Sequence, residues 1–126
     1  MDEELQQLVK ACVDAFPRNG LTDGAVDAFC LKHGAVPEDF PELLAKHVAV
    51  EFSYGEIGYG AAACTMDCLA VYVGIEFSGL PFEIYQAFDS GAYRRENMPA
   101  AVIPWQQYTL PAVMEILERE RLLPRA

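Results

Sequence analysis

Apolar residues recur along this chain at intervals of three and four, the spacing that lines up one face of an α-helix. The first stripe joins Leu5, Leu8, Val9, Cys12, Val13 and Phe16 and predicts a helix from Asp2 to Phe16. Asp2 is its expected cap, Glu3 and Glu4 suit the positive end of its dipole, and Pro17-Arg18-Asn19-Gly20 ends it. A second helix is expected from Thr22 to His33, with Val26, Phe29 and Cys30 inward. Thr22 is placed to cap it, Leu21 and Val26 stand at the positions of a hydrophobic staple, and Gly34 follows as a stop. After a turn at Pro37-Glu38-Asp39, a third helix capped by Asp39 reaches Ser53. Its inner face is drawn from Phe40, Leu43, Leu44, His47, Val48 and Phe52.

Three glycines at 55, 58 and 60 then interrupt the pattern, and residues 61–77 are apolar nearly all round. Cys64, Cys68, Val71, Tyr72 and Ile75 form one helical stripe; Met66, Leu69 and Val73 form another. A helix with two apolar faces belongs in the middle of a bundle. The Val, Tyr, Ile and Phe content of 69–77 would also suit a strand, but no second strand offers itself as a partner. A fifth helix opens at Pro81 with Phe82, Tyr85, Phe88 and Ala92 on one face. A loop at 94–99 and a turn around Trp105 follow. The last helix, Leu110 to Leu122, is capped by Thr109 and turns Val113, Met114 and Leu117 inward. The predicted fold is all-α: a single domain, residues 1–126, built as a compact bundle of five to six helices around a central apolar helix at about 61–77.

A chain of 126 residues with 52% hydrophobic content buries about two thirds of its unfolded surface and needs no metal or disulfide to hold it together. Its four cysteines contain no C-x-x-C pair. Cys64 and Cys68 with His33 and His47 supply the residue types of a Cys₂His₂ zinc site, but the histidines lack the spacing of a finger. Small thiols on apolar stripes are expected to be reduced and buried. A Cys–His nucleophile is disfavoured, because Cys64 and Cys68 lie in the most electronegative part of the chain, which raises a thiol's pKa. No serine sits in a G-x-S-x-G elbow, and no pattern brings two carboxylates into a cleft. The pair His47 and Glu51 is spaced for a local helix contact. The 54–60 segment is not a phosphate loop: no Lys follows, and Glu56 would repel the anion. It reads as a helix connection that displays Tyr54 and Tyr59. Neither catalysis nor a cofactor is expected.

Charge points further. Nineteen acids against nine bases give a net charge of −10. Between Lys46 and Arg94 there is no Lys or Arg, while the same stretch carries six carboxylates. Residues 1–89 hold fifteen acids and four bases, and residues 90–126 hold four acids and five bases, with Arg94 and Arg95 at the boundary. Such a surface repels nucleic-acid phosphates and anionic membranes and attracts basic proteins. Arg94 and Arg95 either neutralise neighbouring acids or contact an anion. The expected function is an acidic, non-catalytic protein-binding module, an inhibitor or immunity-type protein that neutralises a basic, nucleic-acid-binding or nuclease-like partner. Its interface is expected to use Glu51, Tyr54, Glu56, Tyr59, Glu76, Glu83 and Asp89. Asp67 is set apart because it lies within the apolar helix. A regulatory or adaptor subunit of a larger complex is the alternative, and a small enzyme with an unrecognised site stands behind both. Residues 57–75 come nearest to a membrane span but are short, glycine-rich and without basic flanks. Met1 is followed by Asp2-Glu3-Glu4, the opposite of a basic signal region, so a cytoplasmic location is expected.

Overall fold

The computed structural model describes residues 1–124. Six α-helices carry the fold: α1 (Asp2–Ala15), α2 (Asp23–His33), α3 (Phe40–Ser53), α4 (Tyr59–Val73), α5 (Gly79–Asp89) and α6 (Leu110–Arg119). Short 3₁₀ turns at Pro37–Asp39 and Gly74–Glu76 lead into α3 and out of α4, and a π turn at Trp105–Thr109 runs into α6. There is no strand among the described residues, so 69–77 is helical in its first half and a 3₁₀ turn in its second.

The all-α bundle forms as its sequence pattern predicts, with the centre shared by two helices. α4 packs on α1, α3 and α5, while α3 also packs on α1, α5 and α6. Half of α3 is buried: Phe40, Leu44, Ala45, His47, Val48, Ala49 and Phe52. Ala45 and Ala49 let neighbouring helices approach, which the stripe of large side chains alone does not reveal. α2 is set as its termini predict. The Thr22 hydroxyl accepts from Ala25 N–H, Leu21 and Val26 are both buried, and Gly34 closes the helix at φ 62. Glu4 of α1 pairs with Lys32 from the last turn of α2, which holds its carboxyl down to about 2, and His33 Nε2 lies 3.5 Å from the same carboxylate.

Several details differ from expectation. Asp2 lies inside α1, whose cap is Met1, and Asp39 precedes α3 without a side-chain cap. α1 buries Leu5, Leu8, Val9 and Cys12, but Val13 is half-exposed and Phe16, just past the helix end, points to solvent. The central helix begins two residues early and stops at Val73, because Gly74 takes φ 81 and its N–H closes on the Ala70 carbonyl. Of its two predicted stripes, the second is the inner one: Met66 and Leu69 are buried along with Ala62 and Thr65, whereas Val71 and Ile75 stand fully in solvent. In α5 the core face is Pro81, Ile84, Ala87 and Phe88; of the predicted Phe82, Tyr85, Phe88 and Ala92, Phe88 alone is buried. Phe82 and Tyr85 instead form an outer aromatic cluster with Phe77. Thr109 does not cap α6; it is fully buried and its hydroxyl donates to the Ala87 carbonyl at 2.8 Å. α6 ends early because Arg121 takes φ 59, and Leu122 N–H reaches back 2.8 Å to the Leu117 carbonyl.

Two glycines are required by close approach. A Cβ on Gly91 would lie 2.2 Å from Thr109 Oγ1 and 2.6 Å from Trp105 Cα, where α5 abuts the π turn. A Cβ on Gly20 would lie 2.3 Å from the Ala11 carbonyl oxygen. A Cβ on Gly24 of α2 would meet nothing within 4 Å. Gly91→Ala and Gly20→Ala should therefore each cost about 2 kcal/mol in urea unfolding, whereas Gly24→Ala should gain about 0.5 kcal/mol. Equal effects at all three positions would contradict this packing.

Candidate functional site

A groove of about 610 Å³ lies at one end of the bundle. One wall is α2, the Pro37–Asp39 turn and the start of α3; the other is the end of α4, the Gly74–Glu76 turn and the start of α5. Its floor is apolar. Phe40 is fully buried and meets Phe29 and Tyr72 edge-on at 5.7 and 6.5 Å. Val26, Val73, Phe77 and Leu80 complete it. The Tyr72 hydroxyl donates to Asp23 Oδ1 at 3.0 Å; burial first, and then that bond, push its pKa up to about 12, so it stays protonated.

The rim is acidic. Asp27, Glu38, Asp39, Glu42 and Glu76 line it, and no Lys or Arg does. Lys46 reaches Glu42 at 3.6 Å. Among the described residues no cation is within ion-pair distance of the other four. Their field reaches the core beneath: burial raises the Cys30 thiol first, and Asp27 and Glu38 raise it further. The polar side chains of the lining are the five carboxylates, Tyr72 and Ser78.

Of the residues expected at an interface, Glu76 alone lines this groove. Glu51 and Glu56 face a separate acidic hollow with Asp2, Glu3, Gln6 and His47, where α1 begins and α3 ends. Tyr54 is exposed. Tyr59 is not displayed: its ring stacks on Trp105 at 5.8 Å, and its hydroxyl donates to the Phe88 carbonyl at 2.6 Å. Glu83 is held by Arg119 through two bonds of 2.8 and 2.6 Å. Asp89 lies near Asp67, which stands on the outer surface of α4 rather than inside it. Partial desolvation, then Asp89, raise the Asp67 carboxyl. The acids of 47–93 thus divide among four places. The rest of the groove's charge comes from 27–42, where Glu38-Asp39 and Glu42, set among prolines 37 and 41, were the available signal.

The remaining chemistry-bearing groups serve the fold. Cys12, Cys64 and Cys68 meet where α1 crosses α4, all free; burial and then the neighbouring Cys68 raise the Cys12 thiol well above its usual range. No group of three or more His, Cys, Asp or Glu among the described residues is placed to hold a metal. Arg94 donates to the carbonyls of Val102 and Pro99 at 2.7 and 2.6 Å. Arg95 lies over the Tyr108 ring at 3.5 Å and donates to the Ser90 carbonyl. Both arginines therefore fasten the loop before the π turn instead of neutralising acids. No helix among the described residues is long and apolar enough to cross a membrane. No known protein family, characterised protein or solved structure matches the chain.

His47 yields a pH prediction. It is buried, and its Nε2 lies 3.1 Å from Gln6 Oε1. Burial lowers its pKa, with Glu51 and Asp2 opposing in part; Glu3, Glu56 and Lys46 also border its surroundings. The unfolded state, near 6.5, takes up the proton first as pH falls. The stability from neutral His47 is thus present above about pH 6.5 and is lost as pH drops toward the lower folded pKa. Urea midpoints at pH 7.5 and 5.5 should fall for the parent and fall less for His47→Gln. An identical decline in both would exclude His47 as the cause.

Proposed function

We propose that this protein is a non-catalytic binding module that neutralises a basic protein partner, in the manner of an inhibitor or immunity protein that covers a nucleic-acid-binding surface. One observation carries it: an apolar groove rimmed by five carboxylates with, among the described residues, a single cation within ion-pair distance of them. A net charge of −10 extends the same field over the molecule and steers a basic partner toward it. Partner-competent carboxylates outside the groove include Glu51, Glu56 and Asp89. A second possibility, a regulatory or adaptor subunit, is favoured by Val71 on the outer side of α4 and Ile75 in the turn after it, apolar side chains standing 74% and 103% exposed.

The test begins with affinity capture from the native source at low salt, followed by stopped-flow association of the purified pair. The partner should be basic, its nucleic-acid binding should be blocked, and its association rate should fall steeply with salt. Changing Glu51, Glu56, Glu76 and Asp89 to amides should slow association while moving folding stability by no more than about 1 kcal/mol. A neutral or acidic partner, or a rate indifferent to salt and to these changes, would refute the proposal. Binding abolished by Val71→Ser with Ile75→Ser, and insensitive to salt, would establish the adaptor role in its place.

A further inference from the structure

The groove offers two kinds of polar group at once. On both walls are carboxylates, Asp27 and Glu38 on one and Glu76 on the other, which take cations or hydrogen-bond donors. At the end nearest α5 is a helix N-terminus whose cap residue, Ser78, makes no side-chain cap. The N–H groups of Gly79 and Leu80 open that helix, Pro81 having none, and a helix's first N–H groups seek acceptors. Between them lies an apolar floor in which Phe77 and Leu80 are only part-buried. A ligand that satisfies all three carries positive charge, carbonyl acceptors and an apolar side chain on one short body. A polyamine has charge without acceptors, and a lipid or nucleic acid has the wrong sign. A cationic stretch of polypeptide has all three.

Resting on the binding-module function proposed above, we infer that the groove receives one amphipathic, cationic segment of the partner. An apolar side chain of that segment seats on Phe77 and Leu80. Arg or Lys side chains on either side meet Asp27 and Glu38 on one wall and Glu76 on the other. A main-chain carbonyl of the segment accepts from the first turn of α5. The volume of about 610 Å³ suits a few side chains and not a broad globular face. The apolar seat contributes dwell time, whereas the carboxylates set the encounter rate and reject acidic sequences.

The experiment is an amide-resolved NMR titration of the full chain with three probes: a synthetic peptide of Arg and Leu at helical spacing, the same peptide with Ser in place of Leu, and spermine. The Arg–Leu peptide should shift amides around Asp27, Glu38 and 72–80 and bind at least about tenfold tighter than the other two probes. Asp27→Asn with Glu76→Gln should weaken it about tenfold at low salt and less at high salt, while Glu51→Gln with Glu56→Gln should leave it unchanged. Leu80→Ala should weaken the Arg–Leu peptide and leave the Arg–Ser peptide unaffected; its amide spectrum checks that the fold is kept. Equal binding of spermine or of the Arg–Ser peptide would overturn the inference, since charge alone would then suffice. Shifts centred on the Glu51–Glu56 hollow would overturn it as well. A captured partner that ignores Asp27→Asn with Glu76→Gln yet is lost on Glu51→Gln with Glu56→Gln would end this inference while leaving the binding-module function standing.

Discussion

The burial of α3 between two aromatic anchors is the interaction on which the rest of the structure depends. Phe40 at its first residue locks to Phe29 of α2 and Tyr72 of α4. Phe52, near its last, meets Tyr59, Phe88 and Trp105 at 6.5, 5.0 and 5.7 Å. Each ring contributes about 2–3 kcal/mol by burial, and each edge-on pair adds about 1 kcal/mol. The helix is thereby pinned at both ends, and the five other helices are referenced to it. The groove follows from the first anchor. Phe40 fills the space beneath the Pro37–Asp39 turn, so the turn and the end of α4 stay apart above an apolar floor. The second anchor explains Gly91 and Thr109: α5 and the π turn close together beside Phe52, and buried Thr109 turns its hydroxyl onto the Ala87 carbonyl, which also accepts from the Ser90 hydroxyl.

Charge is distributed by a different rule. Between helices, Glu4 pairs with Lys32 and Glu83 with Arg119, and within α3 Glu42 pairs with Lys46 one turn on. Arg94 and Arg95 are committed to backbone carbonyls and a tyrosine ring. Few cations remain, and none of the described ones pairs with Asp27, Glu38, Asp39 or Glu76. Glu76 even lies just past the C-terminus of α4, where the helix dipole disfavours an anion. A fold optimised for itself would not collect like charges around an apolar hollow. The proposed binding role accounts for such an arrangement, with some stability given up for recognition.

The helices were legible in the sequence because each carries a long apolar period or a strong terminal signal. Thr22 and Gly34 bounded α2 without ambiguity. The faces of α4 and α5 were less legible. Both helices have apolar residues on more than one side, so periodicity alone could not say that Val71 and Ile75 face water while Thr65 does not. Tyr59 was misplaced for a related reason: its neighbours Gly58 and Gly60 suggested a loop, yet its ring completes the Phe52 cluster from the first residue of α4. The charge count located an acidic molecule but not the groove. Proximity there is created by the Phe40 packing, which brings residues 27–42 against 72–81, and no local spacing encodes it.

The central claim is that the groove's negative charge is kept for a cationic partner and is not needed by the fold. Thermal unfolding of Asp27→Asn with Glu76→Gln tests this without any partner in hand. Among the described residues neither caps a helix or pairs with a cation, so relief of like-charge repulsion should raise the melting temperature by a few degrees at low salt, corresponding to about 0.5–1 kcal/mol. The gain should shrink as salt is added. A melting temperature that falls at low salt would contradict the account, because those carboxylates would then belong to the fold's own electrostatics.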